Sequence, residues 1–335
     1  MSDVWTVSES IFTPGPAGAF DAIAVKDPSI VYHKGRYHMF YTSKPHKEEG
    51  VYETGLGYVA AATLEELNTA PRTLFKEVVE EDVIAVQVFY FEPHRLWYLI
   101  GHIDLGKAHK LQPVYLVNPD IEDVKGWSKP KAFMKERAGS NPFWIDFWII
   151  CDKTKAHLFY TDHTHRMFRI ESPLEDFPDG FNPEKKEIAA SAQGEDDIGP
   201  WHLHEASHIY RVKEDGRYLA LLEGAYSHPT RKNYWDSRNR FMFAMTADQL
   251  EGPWTRMEPT DNKFLADAPQ LRDKEGNPVA LNQVSHPELI RSGYDQYLEI
   301  DNYKLKMVFQ AFDASRTPDN FDYDFLPWAL WLAQN

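Results

Sequence analysis

Apolar and aromatic residues run along this chain in short bursts of about five or six, cut by Gly, Pro, Asp, Asn and Lys; this is the pattern of β-strands joined by tight turns. Asp27-Pro28-Ser29-Ile30-Val31-Tyr32 leads through His33-Lys34-Gly35-Arg36 into Tyr37-His38-Met39-Phe40-Tyr41, and Leu56–Ala61 supplies a third strand. The same form returns at Val86–Phe91 with Leu96–Ile100, at Asp146–Ile150 with His157–Thr161, and at Glu205–Tyr210 with Tyr218–Leu222. A fifth copy is read at Glu288–Arg291, Gly293–Asp295 and Gln296–Asp301. Helical periodicity is nearly missing, the best candidate being the single turn at Thr63–Leu67. The chain therefore reads as all-β.

The first strands open near positions 27, 86, 146, 205 and 286. The first four lie about 60 residues apart, room for a four-stranded propeller blade with one long connection. The longer last step holds its surplus in polar stretches such as Tyr226–Arg240 and Thr260–Gly276. A β-sandwich has no reason to keep such a step, so the pattern predicts one five-bladed β-propeller over residues 1–335.

That architecture changes how the composition is read. Aromatic residues make up 14% of 335 residues. Wedge-shaped sheets packed face to face would absorb most of them. The excess of 51 acidic over 36 basic residues gives a formal charge of −15, which disfavours nucleic acid as a partner. No apolar run is long enough to span a membrane. The single Cys151 lies in the apolar run Trp148–Cys151 and reads as a small buried hydrophobe. The opening MSDVWTVSES shows no basic stretch before an apolar run, so no signal peptide is read and the compartment stays open. A monomer is expected.

Three blade starts carry carboxylates in apolar surroundings: Asp27, Asp146 and Glu205. First strands line a propeller's channel, so these side chains are expected at one mouth. Desolvation and mutual repulsion make such a grouping costly, and it is typically retained for chemistry or metal binding. Two carboxylates flanking a glycosidic bond can hydrolyse it, and a third can tune the acid by its charge. His202 and His204 share a strand face, but a catalytic zinc needs a third ligand and an open position. Trp201, after Gly199-Pro200, either stacks on a sugar or fills the core, and Phe147 is the aromatic neighbour of Asp146. Arg231, Arg238 and Arg240 read as one loop rather than a phosphate subsite.

With these residues in place, the chain resembles glycoside hydrolase family 62, α-L-arabinofuranosidases of a five-bladed clan shared with family 43. The resemblance rests on Lys26–His38, Ile145–Asp152, Glu205-Ala206-Ser207, Leu250–Thr255, Ser285–Gly293 and Leu326-Pro327-Trp328, in that order. It implies inverting release of arabinofuranosyl side groups from arabinoxylan, arabinan or derived oligosaccharides. It gives Asp27 the general-base role, Asp146 the modulating and orienting role, and Glu205 the general-acid role. It places Lys26, Arg291 and Tyr323 near the sugar, and His286 near a channel metal ion, expected to be calcium. Two segments depart from the family: Leu99-Ile100-Gly101-His102, where a Tyr-Gln-Trp-like run is usual, and Ser285-His286-Pro287-Glu288 in place of Ser-His-Gly-Glu. A family 43-like β-xylosidase or arabinanase would share the three acids, and a non-catalytic carbohydrate-binding propeller would share the fold. Inversion needs space for a water, so a separation of about 6.5–9.5 Å is predicted between Asp27 and Glu205.

Overall fold

The computed structural model describes residues 5–45, 54–77, 79, 82–104, 111–134, 144–162, 164–195, 199–226, 240–257, 271–316 and 326–335. Five sheets follow one another along the chain as blades of a β-propeller. Blade I is Ala24–His33, Arg36–Lys44, Gly55–Ala61 and Arg72–Leu74; blade II is Ile84–Phe91, Leu96–Asp104, Leu111–Asn118 and Lys131–Ala132. Blade III is Ile145–Cys151, Lys155–Thr161, Arg166–Pro173 and Glu187–Ser191, and blade IV is built on Pro200–Val212, Tyr218–Tyr226, Arg240–Ala247 and Thr255–Arg256. Thr63–Leu67, read as a helical turn, overlaps the short 3-10 turn Glu65–Thr69.

Both faces of an inner strand meet a neighbouring blade, so these strands do not alternate between core and solvent. Every residue from Ala24 to Val31 is buried, Lys26 and Asp27 among them. Aromatic rings fill the wedges. Phe40 meets Trp127 edge-on between blades I and II with centroids 5.6 Å apart, and Phe91 meets Phe177 at 4.5 Å between II and III. Phe12 meets Tyr41 at 4.8 Å between V and I. Trp148 of blade III donates its indole N–H to the Ile209 carbonyl of blade IV at 2.9 Å. Cys151 is buried and free.

Blade V departs from the expected local hairpin. Its strands are Leu281–Leu289, Lys306–Asp313 and Ala329–Gln334, and the N-terminal strand Trp5–Phe12 pairs antiparallel with the last of these. The two ends of the chain thus close the ring within one sheet. The stretch read as a hairpin at Gly293–Asp301 crosses the far ends of three other blades instead. Tyr90, Cys151 and Arg211 donate their amides to the carbonyls of Tyr294, Gln296 and Leu298. Inner-strand edges carry unpaired backbone groups, and pairing them outweighs a local turn.

At the opposite end each first strand has a bulge, seen as a break in register with its partner. Each of these strands holds a non-glycine residue in left-handed backbone at a break: Asp27 (φ 48°), Ala85 (49°), Asp146 (56°), Ala206 (54°) and His286 (45°), with Gln283 (59°) at a second break in blade V. Such a residue costs on the order of 1–2 kcal/mol, and bulges serve to re-aim side chains. Four of the kinked amides are capped from the preceding blade. Asp27 N donates to Gln310 Oε1 (2.8 Å), Ala85 N to Thr42 Oγ1 (3.1 Å), Ala206 N to Asp146 Oδ2 (3.0 Å) and His286 N to Glu223 Oε2 (3.2 Å). The blade repeat is thereby fixed at 27, 85, 146, 206 and 286. Glu205 falls one residue before its kink, not at it.

Candidate active site

The kinks bring Asp27, Asp146 and His286 to one mouth of the channel, with Glu205 beside them. Asp27 is 7% exposed. Its Oδ1 lies 3.8 Å from Lys26 Nζ and 3.5 Å from His286 Nδ1. Burial pushes the Asp27 carboxyl up, but Lys26, His286 and a hydrogen bond from Thr42 outweigh it, so the group sits below its ordinary value. It is ionised at neutral pH.

Asp146, 5% exposed, is shifted the other way. Burial is the main cause; His286 opposes it, while the charges of Glu205 and Asp27 add to it, and the carboxyl is pushed up to about 6. Asp146 is also tied to the next blade: Oδ2 accepts the Ala206 amide, and its carbonyl accepts Ser207 Oγ at 3.2 Å. It therefore fixes the backbone on which Glu205 sits.

Glu205 is half-buried. Its Oε2 accepts a hydrogen bond from Arg240 Nη1 at 3.1 Å, and its Oε1 lies 3.4 Å from His204 Nε2. The same Arg240 nitrogen donates to Glu223 Oε1, and Glu223 lies directly opposite Glu205 in the strand pairing. Burial above all, then the nearby Glu205 and Asp146 charges, push Glu223 up to about 8 despite Arg240. His204, Glu205 and Glu223 could together reach a metal ion, but the guanidinium already lies on both carboxylates.

Two members of this site escaped the sequence reading. Glu223 is a lone acid in the apolar run Leu221–Ala225, and that was its signal. Arg240, read as a loop residue, opens the third strand of blade IV and is buried. Arg231 and Arg238 lie outside the described residues. His102, in the departing segment of blade II, is also at this mouth: it is 2% exposed, its ring is 6.3 Å from Phe147, and its Nδ1 has no hydrogen-bond partner among the described residues. Burial holds its imidazole down at about 4, so it is neutral.

The binding candidates divide. Lys26 lies at the mouth, its ammonium 5.9 Å from the centre of the Trp328 ring. Arg291 does not. Its Nη2 donates to the carbonyls of Ile30 (2.8 Å) and Val88 (2.9 Å) and to Glu288 Oε1 (3.2 Å), well along the strands from Asp27. Trp201 is a core residue. Its ring meets Phe241 at 5.8 Å, the Arg256 guanidinium lies 4.6 Å over it, and the Gly194 backbone leaves no room for even a Cβ against it. Phe147 is likewise buried, against Trp144 and Tyr160. Tyr323 lies outside the described residues.

His286 occupies the kink of blade V and faces Asp27 rather than a cage of oxygens. Calcium takes six to eight oxygen ligands, and among the described residues His286 belongs to no group of three ligating side chains. Among the described residues, the donors beside His286 do not fit a protein-made calcium site.

The chain is 27% identical over 342 residues to α-L-arabinofuranosidase C of Cellvibrio japonicus, an alignment covering 98% of this chain and 46% of that protein. The chain thus spans about half the length of that curated relative. The catalytic domain of a Coprinopsis cinerea family 62 α-L-arabinofuranosidase superposes with a TM-score of 0.79 at 29% identity, covering 100% of this chain and 98% of that one. A thermostable family 43 glycoside hydrolase shares the fold alone, at a TM-score of 0.59 and 12% identity, over 96% of this chain and 92% of the other. The model of glycosyl hydrolase family 62 matches residues 4–332, and the chain belongs to that family.

Proposed function

We propose that this chain is an α-L-arabinofuranosidase that removes arabinofuranosyl side groups from arabinoxylan, arabinan or their oligosaccharides with inversion. The observation that carries this reading is the grouping at one mouth of Asp27, beside Lys26 and His286, and Glu205, bonded to Arg240 on the backbone that Asp146 holds. Two carboxyls in such different surroundings fit an acid–base division of labour.

In this mechanism Asp27 takes a proton from a water on one face of the sugar. The water oxygen bonds to the anomeric carbon as the glycosidic C–O bond breaks. Glu205 gives its proton to the departing oxygen, and the anomeric configuration inverts. This step requires the base and acid to stand about 6.5–9.5 Å apart, so that a water fits between base and sugar. Asp146 places negative charge beside Glu205, which favours retention of the Glu205 proton until transfer.

The test is incubation with 4-nitrophenyl α-L-arabinofuranoside, 4-nitrophenyl β-D-xylopyranoside, arabinoxylan and arabinan, with the first-formed anomer followed by NMR. Arabinose released first as the β-anomer is expected. Release of xylose alone would overturn the substrate, and first release of the α-anomer would overturn inversion.

A further inference from the structure

Glu223 occupies a repeated position with an unrepeated chemistry. In blades V and I the second-strand residues Gln310 and Thr42 cap the kinked amide of the following blade, and Glu223 does the same for His286. A neutral oxygen suffices for that task in the first two cases. The second oxygen of Glu223 does something those residues do not: it receives Arg240 Nη1, the same nitrogen that donates to Glu205 Oε2. Glu223 is only 1% exposed and reaches Glu205 through the guanidinium.

We propose that Glu223 is a positioning residue for the general acid: by anchoring Arg240 it fixes Glu205 Oε2 and leaves Oε1 as the oxygen that hands over the proton. A charge-assisted bond from Arg240 Nη1 makes Oε2 the less basic oxygen of Glu205, which favours the proton on Oε1, and a nitrogen bonded to Glu223 Oε1 as well is held in one place. Without Glu223 the guanidinium loses one of the partners that hold it and pairs more fully with Glu205, which favours the ionised carboxylate and turns it from the leaving oxygen. This inference rests on the glycosidase reading above and on the acid role of Glu205.

General-acid help matters most for poor leaving groups, so the test compares two. Glu223→Gln keeps an oxygen for the His286 amide but turns an NH2 group, which cannot accept a hydrogen bond, toward Arg240. It is expected to lose about 100-fold in kcat/KM on an arabino-oligosaccharide, whose leaving alcohol must be protonated, and less than about 3-fold on the 4-nitrophenyl arabinoside, whose leaving phenolate needs little help. Glu223→Asp, which keeps both oxygens on a shorter arm, is expected to show the same split in smaller degree. A merely structural role would lower both substrates alike; equal losses, or none, would overturn the proposal. The pair of leaving groups is applied to whichever pentoside the unaltered chain cleaves. Failure of the arabinose assignment then appears in the unaltered chain, and failure of the positioning role appears only in the ratio for the variants.

Discussion

The two ends of the channel contain the same ingredients put to different use. At the far end Glu288 is buried on the first strand of blade V, two residues beyond His286. Its Oε1 accepts the Ile30 amide and Arg291 Nη2, and its Oε2 accepts the Tyr210 hydroxyl, which in turn accepts the Leu289 amide. One carboxylate there meets one guanidinium, and the bonds tie blades I, II, IV and V together. At the mouth Asp27, Asp146, Glu205 and Glu223 share Lys26 and Arg240. A buried acid matched to its own cation and donors is architecture; acids that outnumber their cations are held at a cost that chemistry explains.

The sharpest way to break this comparison is to neutralise one acid at each end. Glu205→Gln and Asp27→Asn are each expected to cost about 10³-fold or more in turnover of an oligosaccharide, while both variants still unfold cooperatively and Asp27→Asn loses only the modest stabilisation of its lowered carboxyl. At the far end the outcomes exchange places. Arg291→Met, leaving Glu288 buried without its cation, is expected to cost about 3–5 kcal/mol in urea unfolding, with turnover per folded molecule unchanged. Loss of turnover in folded Arg291→Met would return Arg291 to the sugar site.

The smallest expected effect separates the two aspartates by sign. Asp27 lies below its usual 3.8 in the fold, so its stabilisation is present above that value and fades as pH falls through the folded value. Asp146 is raised from 3.8 to about 6, so its stabilisation is complete below 3.8 and is lost as pH rises through about 6. Melting temperature against pH should therefore flatten between about pH 4 and 6 in Asp146→Asn, and below about pH 4 in Asp27→Asn. The same flattening in both variants would remove the distinction drawn between them.

The blade repeat was legible because an inner strand buried on both faces must be an apolar run, and a step of about 60 residues is hard to imitate. Asp27, Asp146 and His286 were legible as polar residues at equivalent openings of such runs. Glu223 and Arg240 were not, since their meaning comes from facing Glu205 across a sheet. Trp201 could not be placed from sequence, because an aromatic that stacks on sugar and one that stacks on a sheet look the same in a string of letters. Ring closure by Trp5–Phe12 joins segments from opposite ends of the chain, and no local pattern records such a pairing. The turn-like Gly293–Asp301 misled for the related reason that its hydrogen bonds go to other blades.

The five left-handed kinks have a consequence for how this ring can change. They act as comparable sockets: each presents one side chain to the same space, on a backbone already shaped to accept it. Four of the five blades have put an acid or a histidine in or beside theirs. Blade II holds only Ala85, partly exposed, its amide already capped by Thr42. Asp and Asn tolerate left-handed backbone better than most residues. The fold therefore carries a spare socket, where a new functional group could be installed without redesigning the chain around it.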